Sequence, residues 1–257
     1  MLLSATAGCL GAGAVLSHGS AAVLHGLPVP TAMLAKVGVT RERRGRGHVS
    51  AIVHERGCPL PSDDVVELGE LRVTSLARTV ADLARQLPFD WAVAVADAAL
   101  TRGLPREALV DQVERSRRWP GNARARAVAA FADARAESPG ESRSRALFAQ
   151  AGLPPPALQY EVWSEGVFLG RTDFAWEEHG VLGEFDGIVK YGVLARAGES
   201  PGQALAREKV REDAMRGVGW LVARWIWSEL SPSDALCRRL DRTLRAGPGR
   251  LTRRGAS

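Results

Sequence analysis

The chain is poor in cysteine, lysine and long apolar runs, and each shortage narrows what the protein can be. Its three cysteines, Cys9, Cys58 and Cys237, are far apart and odd in number. They make neither a metal-ligand spacing nor a disulfide framework, which points to a reducing compartment. No apolar stretch reaches the roughly 18 residues that span a bilayer, so no membrane association is expected. The opening MLLSATAGCLGAGAVL has no Lys or Arg ahead of its apolar part, unlike a secretory signal. A cytoplasmic protein is the expectation. His18, His25, His48, His54 and His179 have no ligand spacing to one another, and each reads as structural or exposed. Gly8, Gly11 and Gly13 do not form a dinucleotide fingerprint, because Leu16 stands where the next glycine is needed. Lysine occurs only at Lys36, Lys190 and Lys209, among 34 basic residues. In a chain that uses arginine by default, each lysine is conspicuous.

What remains is ordinary for a globular protein: 257 residues, 46% apolar and 25% charged. The net charge of +5 permits nucleic-acid binding without requiring it. The basic runs RERRGRG at 41–47 and Arg115, Arg117, Arg118, Arg124 and Arg126 either touch phosphates or form a solvated surface.

The break SPGES at 138–142 divides the chain. Residues 1–137 read as a mainly helical α+β domain. AVLSHGSAAVLHGL at 14–27 reads as a helical segment capped by Ser17 or Ser20, short strands follow in 36–60, and LRVTS at 71–75 is another strand. Helices are expected over 76–87, 89–102, 105–118 and 121–136, punctuated by Pro88, Gly103, Pro105, Pro120 and Gly121. Residues 138–245 read as α-β-β-β-α-β-α, with strands ALQYEVW, VFLGRTDFAW, VLGEFDG and WLVARWIW. Residues 246–257 read as a disordered basic tail.

The second half carries the chemistry. If EEHG is a four-residue turn, Trp176 pairs with Val181 and Asp173 comes opposite Glu184. Alternation along the strand then puts Asp186 on the same face. Opposed side chains on paired strands have Cβ atoms only about 5 Å apart, and like charges there repel. Two arrangements relieve the conflict: a divalent cation held by Asp173, Glu184 and Asp186, or salt bridges to Arg171 or Arg211. Glu141, near the start of the preceding helix, is placed to reach the same patch, and Lys190 follows Asp186 by four residues. The helix at 203–217 carries Lys209 and Asp213, and Glu212 and Arg216, at the i,i+4 spacing of ion pairs on a solvated face. The tryptophans at 220, 225 and 227 read as core rather than a base-stacking platform.

A helical Glu, then TDF, then EFDGIVKY, EKVREDAMR and GWLVARW resembles the very-short-patch-repair-like domains of the PD-(D/E)xK, restriction-endonuclease-like superfamily. AVLSHGSAAVLHGL and VTSLARTVADLA resemble the region upstream of such domains, which is similar to the AbiEi antitoxin of type IV toxin–antitoxin systems. In full-length relatives a winged helix-turn-helix precedes that region, and this sequence begins after it. The resemblance implies an α/β fold with a restriction-endonuclease-like αβββαβ mixed sheet flanked by helices. It further implies a Mg²⁺- or Mn²⁺-dependent DNA endonuclease, with Asp173 and Glu184 as metal ligands, Asp186 or Glu141 completing the set, and Lys190 or Lys209 as the catalytic lysine. The superfamily lysine two residues after the Glu is replaced here by Asp186. That departure keeps open a second class, a catalytically inactive antitoxin-like regulator that binds DNA, a toxin partner or a second copy of itself.

Overall fold

A computed structural model describes residues 13–42, 47–187 and 200–249. The chain divides into two compact units, Met1–Ser142 and Arg143–Ser257.

Unit 1 builds a six-stranded mixed sheet from short strands: β1 Ala14–Leu16, β2 Val37–Arg41, β3 His48–Val49, β4 Val53–Gly57, β5 Val65–Leu68 and β6 Leu71–Thr74. Their order is β3-β4-β2-β1-β6-β5. The segment 14–27 is therefore not all helix. AVL forms β1, antiparallel to β2 and parallel to β6, before α1 begins at His18–Leu24. Neither expected serine cap closes α1. Ser17 stands at the cap position without a side-chain cap bond, and its hydroxyl accepts from Thr40 instead. Ser20 Oγ accepts from Gly38 N. β5 had no expectation in the sequence. Its Glu67 and Leu68 are exposed, so its pattern lacks the alternation that marks a half-buried strand.

Four helices complete unit 1: α2 Leu76–Gln86, α3 Phe89–Thr101, α4 Arg106–Arg115 and α5 Asn122–Phe131. Ser75 Oγ caps α2 by accepting from Arg78 N. α3 is alanine-rich, and Ala92, Ala94, Ala96 and Ala99 are buried, so helices can approach closely there.

Unit 2 is a four-stranded sheet, β7 Ala157–Ser164, β8 Val167–Trp176, β9 Val181–Asp186 and β10 Leu221–Ile226, in the order β10-β9-β8-β7. β10 runs parallel to β9, and the other neighbours are antiparallel. The turn after β8 ends at Gly180, whose φ of 64° suits glycine, and the ladder pairs Trp176 with Val181. One face packs Phe174, Trp176 and Trp225 against Phe148 of α6 (Pro139–Gln150) and Leu236, Leu240 and Leu244 of α8 (Asp234–Ala246). The i,i+4 leucines put the apolar stripe of α8 on the sheet. The other face packs Ala175 and Leu182 against Met215 of α7 (Pro201–Gly217). Gly183 permits this sheet its aromatic core: a Cβ there would lie 2.8 Å from Trp225 and 2.9 Å from Trp176. Trp220 and Trp225 are core residues as read from the sequence, whereas Trp227 is 38% exposed beside Phe185.

Candidate functional site: an acidic strand face closed by arginines

The α7-covered face of unit 2 collects the charges. Ala175 and Leu182 point to α7. Two residues further along each strand, by strand parity, come Asp173 and Glu184, and then Asp186. The sequence-derived register therefore places the three acids as expected up to Phe174↔Gly183, the last pair of that ladder. Beyond it Asp173 does not simply oppose Glu184. Its Oδ2 accepts the Phe185 backbone N–H at 2.7 Å, so the side chain closes the end of the ladder.

Glu184 is 7% exposed and held from two sides. Arg211 Nη2 donates to its Oε1 at 2.5 Å, and Arg224 Nη2 lies 2.5 Å from its Oε2. Both arginines are placed by backbone geometry. Arg224 is the direct β10 neighbour of Glu184 in the parallel register. Arg211 projects from α7, which sits close because Gly170 has no side chain; a Cβ there would lie 3.0 Å from Arg211 Cδ. The same arginines serve three more carboxylates. Glu208 bridges Arg211 and Arg224, Asp186 Oδ1 lies 3.4 Å from Arg224, and Glu212 Oε2 lies 2.9 Å from Arg224 Nε. Glu212 also pairs with Arg216 at 2.6 Å.

Burial is the main influence on Glu184 and Asp186. It pushes both carboxyls above their ordinary range, against the pull of Arg224 and, for Glu184, Arg211. Burial acts the same way on Glu208, but hydrogen bonds from Arg211 and Arg224 outweigh it and hold that carboxyl low. Arg211 and Arg224 are raised despite burial, by Glu208 and Glu184.

The donors do not fit a resident Mg²⁺ or Mn²⁺ as they stand. Both Glu184 oxygens face guanidinium groups and Asp173 Oδ2 is taken by an N–H. Among the described residues no group of three or more His, Cys, Asp or Glu is disposed to hold a metal ion. The other expected site residues behave differently. Glu141 lies in unit 1, buried, and its Oε2 accepts from Glu137 N while its own N–H goes to Ser138 Oγ; it closes a turn. Lys209 is exposed on α7, and the expected Lys209–Asp213 pair does not form among the described residues. Lys190 lies outside the described residues. His179 is structural, its Nδ1–H donating to Leu244 O at 3.0 Å.

The expected Glu212–Arg216 pair forms, whereas Arg224 and Glu208 went unassigned in the sequence. Laying VLGEFD beside LVARWI in parallel brings Arg224 to Glu184, but nothing local announces a register across 40 residues. These features define a two-unit α/β protein whose second unit carries an acid–arginine centre on one sheet face. The chain is 31% identical, over 248 residues, to proteins MT2308 and Rv2248 of two Mycobacterium tuberculosis strains, covering 93% of this chain and 85% of each relative. It belongs to their family. No family model and no solved structure matches it.

Proposed function

We propose that unit 2 is a restriction-endonuclease-like domain that no longer cuts, and that the protein is a regulatory nucleic-acid-binding protein of the antitoxin-related type. One observation carries this reading: both Glu184 oxygens are held by arginines that backbone register and helix packing fix in place. A fixed guanidinium beside a metal ligand opposes a cation, because like charges at contact repel strongly where water is scarce. Asp186 in place of the superfamily lysine and the outward Lys209 support the same conclusion. On this reading the carboxylates and arginines tie α7 to β9 and β10, and the nuclease-like sheet survives as a scaffold.

A second reading, a Mg²⁺-dependent DNA endonuclease, draws support from one feature. Glu184, Asp186, Glu208 and Glu212 outnumber Arg211, Arg216 and Arg224 by four to three. It requires Arg211 and Arg224 to leave Glu184. The test is incubation of supercoiled plasmid with the full chain in Mg²⁺ or Mn²⁺, beside a gel-shift assay. Retained DNA with no metal-dependent nicking is the expected result. Nicking by the parent protein that Glu184→Gln abolishes would establish the second reading.

A further inference from the structure

A second charged constellation lies in unit 1, and its sign is opposite. α4 ends at Arg115, and the turn to α5 carries Arg117, Arg118 and Trp119. These residues, with Asp111 and Glu114, line an open cleft of about 740 Å³. Pockets that take small ligands run to about 300–1,000 Å³, so a base with its phosphate has room here. Glu114 is already held by Arg126, at 2.8 and 3.1 Å. Arg115 is held by Asp64 at 3.0 Å and remains half exposed. Arg117 and Arg118 are exposed and form no salt bridge or side-chain hydrogen bond among the described residues.

Behind the cleft the positive charge continues. The Arg78 and Arg85 guanidiniums each lie 4.7 Å from the Trp119 ring. Both also contact Asp82. The buried carboxylates Asp64 and Asp82 answer the buried guanidiniums of Arg78 and Arg85, and Asp64 also holds Arg115 at the cleft wall. Arg85 Nη1 is buried without a hydrogen-bond partner. The cleft thus joins an aromatic ring, two surface arginines without a salt bridge among the described residues, and the half-exposed Arg115.

We propose that this cleft binds a single nucleic-acid strand, with Arg117 and Arg118 on successive phosphates and an unpaired base against Trp119. Stacking on an aromatic ring beside arginines is tolerant of sequence and needs a base free of a partner strand, so a duplex is the weaker ligand. The inference rests on the reading of the protein as a nucleic-acid binder and names the surface that does it.

The experiment is fluorescence anisotropy with labelled 20-nucleotide strands of DNA and of RNA, and the DNA duplex, titrated with the full chain and with Arg117→Glu/Arg118→Glu. Both substituted positions are exposed, and equal melting temperatures check that the variant folds. At about 0.1 M salt the double variant is expected to bind single strands roughly tenfold more weakly. Its log–log salt slope should be shallower by about 1.4, the release expected for two single-strand phosphates. Whichever of DNA and RNA binds more tightly identifies the source of the strand. A parent protein that binds no strand overturns the nucleic-acid reading as well. A parent that binds, with a double variant matching it in affinity and slope, overturns the cleft alone, as does preference for the duplex.

Discussion

Unit 1 and unit 2 each contain a network of arginines and carboxylates, and the two differ in depth and in sign. In unit 1, Arg78 and Asp82 have side chains 1% exposed, joined through two hydrogen bonds at 2.9 and 3.0 Å, and Arg78 also reaches Asp64 at 2.7 Å. Arginines are in excess there. In unit 2 only Glu184 is comparably buried, at 7% exposed; Arg224 is 29% and Asp186 35% exposed, and carboxylates are in excess. Depth decides what each network does for stability: a buried charge that loses its partner is left uncompensated, whereas a half-exposed one is relieved by water.

The sharpest way to break this comparison is Asp82→Ala. It leaves Arg78 and Arg85 buried beside Trp119 with one fewer anion. A loss of about 3–5 kcal/mol in urea unfolding is expected. Unfolding indistinguishable from the parent would show that depth does not separate the two networks.

Arg224→Gln sharpens the other side. It leaves Glu184, Asp186, Glu208 and Glu212 with Arg211 and Arg216 as their remaining arginines. Near pH 7 a loss of about 2 kcal/mol is expected. The pH dependence has a definite sign. Arg224 favours the ionised form of Glu184, Asp186 and Glu208, so removing it raises the already elevated folded-state pKa of Glu184 and Asp186 further and weakens the hold that keeps Glu208 low. The variant then takes up protons on folding, and its stability relative to the parent recovers as pH falls through the carboxylate range. Melting curves between about pH 4 and 7 check this, and a pH-independent difference would contradict it. Lys209→Ala should change stability by no more than about 0.5 kcal/mol and leave DNA binding unchanged, because the side chain lies in solvent. Loss of a metal-dependent cleavage on that substitution would reverse the assignment of the lysine.

Much of unit 2 was legible in the sequence because its signals are local. The EEHG turn fixes the β8–β9 register, and strand alternation then places the acids on one face. Unit 1 was harder to read. β1 is three residues long, too short to show a period, and ran into α1 without a break in composition. What the sequence could not supply was pairing at a distance. Arg224 meets Glu184 only through a parallel register, and Asp173 meets the Phe185 amide only where the ladder ends. Glu141 was assigned from its place on a helix, and a local turn in which its Oε2 accepts the Glu137 N–H was not foreseen.

The central claim is that Glu184 is a structural partner of two arginines rather than a metal ligand. Glu184→Gln, measured for melting temperature and for plasmid nicking in Mg²⁺, tests it most directly. Loss of the charge that Arg211 and Arg224 share should destabilise unit 2 by about 1–3 kcal/mol. The melting temperature should therefore fall, with neither parent nor variant nicking DNA. A melting temperature unchanged or raised by relief of carboxylate repulsion, together with nicking by the parent that the variant loses, would contradict it.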